Sequence, residues 1–393
     1  MRQINDIRLT LMNSSYRPHT QGYDYYDAGA YLITLVVQER EQILSQLNNN
    51  PKDPGVELTE VGRIVKEEWE KTEAIQCSRG RQIETACQVC MPDHWHGVIV
   101  VKERMDKSLG FIIQSFKSAC TARWRREVTG YADSPSLASQ INKMSKEKRR
   151  LYYATRPRIE RPLFDDDYDD TICMDERHLQ AMRHYVADNP RRAIIRRMNP
   201  QFMERRLHVQ IDGHDYAAFG NLFLLRWARR EQVFCHRKAR LAMLTPEERA
   251  ACGMGQVRLS PQDEANRITP LPYEQSEHFR QYRQLLIDKI MQGATVLVTP
   301  GISRGEAEIK SECLAKGYPL ILLQKEPIGP YWKPERQRFE ACSKGALLIL
   351  SPWQLDEMGQ VGQVPANTDY SRFHNLNTLV AEICQAQQCV IKR

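Results

Sequence analysis

His94-Trp95-His96 places two imidazoles two residues apart and runs on into Gly97-Val98-Ile99-Val100-Val101. In an extended strand, side chains two apart leave one face roughly 7 Å from each other, so both rings can reach one divalent cation while Trp95 packs behind them. Two histidines on a strand face can equally be bonded separately, and the pair alone is half of a metal site. Tyr185-x-x-x-Asn189 offers the other half. At helical spacing its phenol and amide oxygen stand on adjacent turns of one face, a nucleophile and a metal ligand arriving together. Asn189 would add a hard oxygen donor and leave positions open for a phosphate oxygen and water.

Strands and helices must hold these groups. Ala30–Val37, Ile83–Cys90 and Trp95–Val101 read as strands, and Val61–Thr72 has helical periodicity. Lys107–Arg126 reads as an amphipathic helix with Leu109, Ile112, Ile113, Phe116 and Trp124 inward and Lys117, Arg123, Arg125 and Arg126 exposed. Asp175 caps a helix over Asp175–Val186 with Leu179, Met182 and Val186 on one side, and Asn189-Pro190 punctuates it. Cys87-x-x-Cys90 has the spacing of half a zinc site, but no second pair lies at a matching distance and the segment reads as buried strand.

A chain of 393 residues exceeds what one core usually serves, which points to two domains. The net charge of +7 and pI near 8.8 suit a polyanionic partner. Charge concentrates between Ser134 and Arg161, where Lys143, Lys146, Lys148, Arg149, Arg150, Arg156, Arg158 and Arg161 interleave with Tyr152 and Tyr153. Cations that track phosphates beside rings that stack on bases make a single-strand-binding groove; a solvated helix and loop is the plainer reading. Arg191, Arg192, Arg196 and Arg197 extend the basic surface. Eleven irregularly spaced cysteines and the lack of an apolar leader imply reduced thiols in a cytoplasmic setting, and no stretch is apolar enough to span a membrane.

The last third changes character. Val296–Thr299, Pro319–Leu323 and Ala346–Leu350 are short unbroken apolar runs, as a parallel sheet covered on both faces requires. Ala217–Arg226 also reads as strand, and Leu244–Leu271 as a polar connector. Thr299-Pro300-Gly301-Ile302-Ser303-Arg304-Gly305-Glu306 follows a strand and opens a helix. Free amides there could receive a phosphate with Gly301 and Gly305 permitting close approach, Ser303 at the helix start and Arg304 in contact; an ordinary strand-to-helix turn is the alternative. The loop fits neither the dinucleotide fingerprint nor the Walker loop.

Tyr23-Asp24-Tyr25, Gly29-Ala30-Tyr31, Met91-Pro92-Asp93 ahead of the histidines, Ser115-Phe116-Lys117-Ser118 and Arg183-His184-Tyr185-Val186-x-x-Asn189-Pro190 follow one another in that order. Over about residues 16–200 this set resembles the single-tyrosine HUH transposases, which include insertion-sequence enzymes and REP-associated tyrosine transposases. The resemblance implies a ferredoxin-like antiparallel sheet with helices on one side, His94 and His96 as metal ligands, Tyr185 as nucleophile and Asn189 as the third ligand. It implies Mg2+ or Mn2+ as cofactor, no nucleoside triphosphate, and a homodimer acting on single-stranded or hairpin DNA. Asp170 matches a recurring acidic position, which would place it near the cation. Position 93 carries Asp where the family usually has Asn, and this carboxylate could join the metal shell or cap the strand. The stretch from Val128 to Arg161 is longer than the family pattern. More weakly, about residues 275–355 are similar to the Rossmann-like core of the DNA-processing protein A family, which loads protein onto single-stranded DNA.

The expected architecture is α/β overall: an α+β HUH domain over 1–208, a connecting segment with strands and polar linker over 209–269, and a Rossmann-like parallel α/β domain over 270–393. The expected chemistry is metal-dependent cleavage and strand transfer through a 5′-phosphotyrosine. A phenol with an ordinary pKa of about 10 needs nearby positive charge to act as nucleophile, which Arg183 or Lys117 could supply. Lys117, Arg123, Arg125, Arg126, Arg149, Arg150, Arg183, Arg191 and Arg192 are the expected DNA contacts. Two other functions remain open: a domesticated hairpin-binding protein that no longer cuts, and a metal hydrolase in which the histidine pair activates water.

Overall fold

The computed structural model describes residues 22–50, 52–131, 134–233, 235, 273–293, 295–329, 332–352, 369–387 and 389–391. The polar connector expected over Leu244–Leu271 lies outside the described residues. The chain divides into two units, Met1–Arg197 and Met198–Arg393, each with its own mixture of strands and helices. Among the described residues no helix is long and apolar enough to cross a membrane.

In the first unit the elements are β1 (Gly29–Val36), β2 (Ser45–Leu47), β3 (Val56–Leu58), α1 (Glu60–Cys77), β4 (Ile83–Cys90), β5 (His94–Val101), α2 (Leu109–Trp124), α3 (Pro135–Asn142), α4 (Lys146–Ala154), β6 (Asp169–Ile172) and α5 (Glu176–Met198). Four strands form an antiparallel sheet in the order β4-β5-β1-β6. Strand alternation gives it two different faces. Tyr31, Ile33 and Leu35 of β1 and Trp95, Ile99 and Val101 of β5 bury against Val61, Val65 and Trp69 of α1 and Leu109, Ile112, Ile113 and Phe116 of α2. Rings of Trp69, Trp95 and Phe116 meet at 4.6–5.2 Å between centroids, edge-on or tilted, contacts worth about 0.5–1.5 kcal/mol each beyond their burial.

The opposite face presents Leu32 and Val98 to Met182 and Val186 of α5. Helices therefore cover both sides of the sheet, where the resemblance implied one. Helix α5 also runs further than expected. Asp175 Oδ1 accepts the His178 N–H at 2.8 Å as the expected cap, but the helix continues through Pro190 to Met198. Pro190 lacks an N–H for the carbonyl four residues back, yet flanking turns and the packed face of Met182 and Val186 carry the helix across.

The second unit adds β7 (Arg205–Ile211), β8 (His214–Gly220), β9 (Arg229–Gln232), α6 (Glu277–Met291), β10 (Thr295–Thr299), α7 (Arg304–Lys316), β11 (Leu320–Leu323), α8 (Arg336–Ser343), β12 (Leu347–Ser351), α9 (Asp369–Gln385) and β13 (Cys389–Ile391). Its sheet order is β13-β7-β8-β12-β11-β10-β9. Strands β9, β10, β11 and β12 are mutually parallel, and β8, β7 and β13 are added antiparallel. One face packs Leu297, Leu320, Leu322, Leu347 and Ile349 against α6, α7 and α8; the other packs Val296, Val298, Ile321, Leu323, Leu348 and Leu350 against Leu376, Val380 and Ile383 of α9. That two-sided burial explains the unbroken apolar runs. The sheet also corrects the expected connecting segment: β7, β8 and β9 are strands of this same sheet, and the strand expected over Ala217–Arg226 ends at Gly220 before a short helical turn over Leu222–Arg226.

One glycine sets the closeness of packing beside the histidines. Gly97 lies under the six-membered ring of Trp95 on the core face, where an added Cβ would collide with that ring. Gly97→Ala should overpack β5 and lower folding stability by about 1–3 kcal/mol. A urea midpoint that falls with an unchanged slope is the expected reading; an unmoved midpoint would show that the indole is free to shift.

Candidate active site

Alternation in β5 aims His94 and His96 at the face under α5, because Trp95 between them is committed to the core. Their ring centroids are 4.8 Å apart with planes at 80°. Each Nδ1 is engaged. His94 Nδ1 lies 2.6 Å from Asp93 Oδ1, and His96 Nδ1 lies 2.8 Å from Thr34 Oγ1 across the strand pair β1–β5. An Nδ1–H directed at a carboxylate leaves Nε2 as the lone-pair nitrogen, the arrangement that orients metal-binding imidazoles. Asp93 Oδ2 in turn accepts from Arg40 Nη1 at 3.1 Å. Burial works to raise the Asp93 carboxyl, but His94 and Arg40 more than offset it and bring it down to about 2.

Tyr185 comes to the same face from α5, its ring centroid 5.5 Å from that of His96 with planes at 68°. The helix runs opposite to β5. Arg183 lies toward Glu84 on β4 at 3.6 Å, Met182 and Val186 cover Val98, and Tyr185 reaches His96. Asn189 follows Tyr185 by four residues in the same helix, about 6 Å along its axis. Asn189 is 3% exposed, and its Nδ2 donates to Tyr185 O at 2.9 Å, which leaves Oδ1 as the acceptor of the amide. Two imidazole nitrogens and an amide oxygen suit a divalent cation of intermediate hardness. Among the described residues no group of three or more His, Cys, Asp or Glu side chains is placed to hold a metal ion, so a site here depends on the amide.

Several expected residues fall elsewhere. Asp170 is in register with Ile33, on the core face, and its Oδ2 accepts from Tyr25 Oη at 2.8 Å. Its neighbour Asp169 shares the row of Thr34 and His96 instead. The slip of one residue is invisible without the strand register, and a one-residue change of register exchanges faces. Asp93 bonds the Nδ1 of His94 and pairs with Arg40. Thr34 and Arg40 are site residues that sequence reasoning missed; the alternation Leu32, Thr34, Val36 against Tyr31, Ile33, Leu35 is the signal that marks Thr34.

Lys117 and Arg125 do not face solvent. The Lys117 ammonium, 5% exposed, donates to the carbonyls of Asp165, Asp166 and Asp167 at 2.5, 2.7 and 3.3 Å, folding the acidic loop around itself. It belongs to α2 on the core face and so cannot supply charge to Tyr185. Arg125 is buried and donates to Glu160 O. Arg123 pairs with Glu67, Glu68 and Glu127, Arg126 with Glu127, Arg183 with Glu84, and Arg191 with Asp188. Arg192 is buried, and Arg149 Nη2 donates to Met144 O at 3.3 Å. The side chain of Arg150 lies outside the described residues. In the basic-aromatic stretch Arg156 stacks over Tyr152 at 4.7 Å, Arg158 over Trp124 at 4.6 Å while pairing with Glu41, and Arg161 pairs with Glu39. Much of the positive charge read from the sequence is thus spent within the unit.

In the second unit the N–H groups of Gly301, Ile302 and Ser303 already have partners. Ser303 caps α7, and the Glu306 carboxylate, 1% exposed, accepts from the N–H groups of Ile302, Ser303 and Cys235 at 2.9, 3.2 and 3.3 Å. Gly301 N–H donates to Thr299 Oγ1 and Gly305 packs on Phe279 and Cys235. An internal carboxylate sits where the loop was expected to receive a phosphate; Arg304 is exposed.

No protein-family model and no curated protein matches the chain. Among solved structures it is similar to a REP-associated tyrosine transposase bound to a REP hairpin, with TM-score 0.27 and 15% identity over 45% of this chain and 72% of that one. It is also similar to a protein of Deinococcus radiodurans R1 described as a candidate transposase, with TM-score 0.23 and 15% identity over 44% of this chain and 97% of that one. Likeness that slight leaves the functional reading to the geometry. For the cations, the geometry makes a definite demand: Lys117→Met should cost about 2–3 kcal/mol of stability by stranding the carbonyls of the acidic loop. The DNA affinity of the folded fraction should stay unchanged, and a selective loss of binding at wild-type stability would return Lys117 to the DNA surface.

Proposed function

We propose that this chain is a metal-dependent single-strand DNA endonuclease and strand transferase in which Tyr185 attacks a phosphodiester. One observation carries the reading: a tyrosine ring from α5 lies against a strand's histidine pair whose Nδ1 atoms are both already engaged. A metal hydrolase would use the pair but give Tyr185 no role, and a non-cutting DNA-binding protein would need none of the four residues.

His94 and His96 through Nε2, with Asn189 through Oδ1, would hold the cation. When bound, a divalent ion there polarises the scissile phosphate and offsets charge on the departing 3′ oxygen. Tyr185 Oη forms the bond to phosphorus as the P–O3′ bond breaks. The phenolic proton leaves to solvent, and the 3′ oxygen takes one up to become a hydroxyl. The product is a 5′-phosphotyrosine, and because one phosphodiester replaces another, a later 3′ hydroxyl can reverse the exchange without a nucleoside triphosphate. Asp93, Arg40 and Thr34 contribute by fixing the two rings.

Labelled hairpin-bearing single strands incubated with the protein and Mn2+ should yield a covalent adduct through the 5′ phosphate of the fragment downstream of the cut, absent in Tyr185→Phe and with chelator. Adduct formation by Tyr185→Phe would move the nucleophile elsewhere, and hydrolysis without adduct would favour the metal hydrolase. Thr34→Val should weaken Mn2+ binding about 10–100-fold while leaving the fold intact, since second-layer partners of metal-binding imidazoles have effects of that size. Binding measured by the loss of the free-ion electron paramagnetic resonance signal checks this, and unaltered affinity would remove Thr34 from the site.

A further inference from the structure

At the carboxyl ends of β10 and β11, helices α7 and α8 each present a cation. Lys310 leaves the second turn of α7, and side chains of a helix lean toward its start. Its Nζ consequently lies over Gly301, where an added Cβ would sit 2.8 Å from it. Arg338 leaves the first turn of α8, and its Nη1 donates to Gln324 Oε1 at 3.0 Å. Gln324 follows β11 directly and is itself held, its Nε2 donating to Glu326 O at 2.8 Å and its backbone N–H to Leu350 O at 2.9 Å. Arg338 is thus held by a neutral amide, and among the described residues Lys310 makes neither a hydrogen bond nor an ion pair.

The electrostatics leave these charges short of a partner. Burial first, and the charge of Arg338 second, hold the Lys310 amine below its usual range, with Glu306 and Glu326 acting the other way. Of these two, the Glu306 carboxylate is occupied by the amides of Ile302, Ser303 and Cys235. Partly buried like charges are costly until an anion joins them. Both side chains stand at the carboxyl ends of neighbouring parallel strands, Lys310 over the loop after β10 and Arg338 on the residue that follows β11. Gly301, at φ +65°, has no side chain to fill the space in front of Lys310.

We propose that Lys310 and Arg338 form an oxyanion site at the carboxyl ends of β10 and β11, with Gln324 positioning Arg338, and that it takes a phosphate group of a nucleotide or of a DNA strand. The site differs from the loop amides, which Glu306 fills. It is independent of the histidine-tyrosine site of the first unit.

The test uses the full chain and inorganic phosphate at constant ionic strength, with labelling of Lys310 by an amine-selective reagent read by peptide mass spectrometry. Phosphate at ten times its Kd should slow labelling about ten-fold in the wild type, and Arg338→Gln should abolish the protection. Lys310→Met should lose the phosphate-induced rise in Tm that the wild type shows. A labelling rate indifferent to phosphate, protection that survives Arg338→Gln, or a Tm rise kept by Lys310→Met would each overturn the site. Adenosine monophosphate and a single-stranded oligonucleotide, added in turn, separate the sources. Protection by the first alone assigns a nucleotide, protection by the second with a salt slope reduced by about one in Lys310→Met assigns DNA, and protection by neither overturns the proposal.

Discussion

The alternation of β5 is the constraint on which the first unit depends. Trp95 is fully buried between Trp69 and Phe116, so the strand cannot rotate or slip without extracting the largest side chain of the core. Because the period of a strand is two, that commitment fixes His94 and His96 on the opposite face as firmly as the indole is held. The register with β1 then delivers Thr34 to His96, and the turn before β5 delivers Asp93 to His94. Core packing on one face therefore aligns the chemistry on the other, and α5 closes over it through Met182 and Val186.

How much of this the sequence displayed follows from the range of each interaction. The histidine pair, the strand Ile83–Cys90 and the Tyr185-Asn189 spacing are local patterns, readable from side-chain types over a few residues. Thr34 and the opposed faces of Asp169 and Asp170 depend on which strand lies beside which and in what register, information carried by contacts between distant segments. The same limit produced the overestimate of DNA-facing charge. Lys117 occupies a position whose neighbours look polar, but the carbonyls that bury it come from a loop 48–50 residues later. Pro190 misled for another reason: proline disfavours a helix locally, whereas the apolar side of α5 on the sheet outweighs that cost.

The second unit repeats the lesson with a different outcome. Its apolar runs were legible because a parallel sheet buried on both faces suppresses alternation altogether. Strands β7, β8 and β9 were harder to place, since β7 and β8 are added to the parallel core, β9 is its edge strand, and all three carry polar residues. In the Gly301 loop the residue types suited a phosphate, yet Glu306, only one turn into α7, is long enough to fold back and satisfy the amides itself. A capping carboxylate and an incoming phosphate compete for the same donors, and the one covalently attached needs no association entropy.

The geometry of Asn189 bears on whether Tyr185 and the histidines can work in one chain. Asparagine inside a helix ordinarily competes with the backbone, and here its Nδ2 does bond the Tyr185 carbonyl one turn back. That bond has a directional consequence. With Nδ2 bonded to the backbone carbonyl, Oδ1 is left as the acceptor of the amide. The carbonyl being bonded is that of Tyr185, so the Asn189 amide and the Tyr185 phenol are tied to one turn of backbone, and Met182 and Val186 pack that helix on Val98. One helix thus presents Met182 and Val186 to Val98 and the ring of Tyr185 to that of His96.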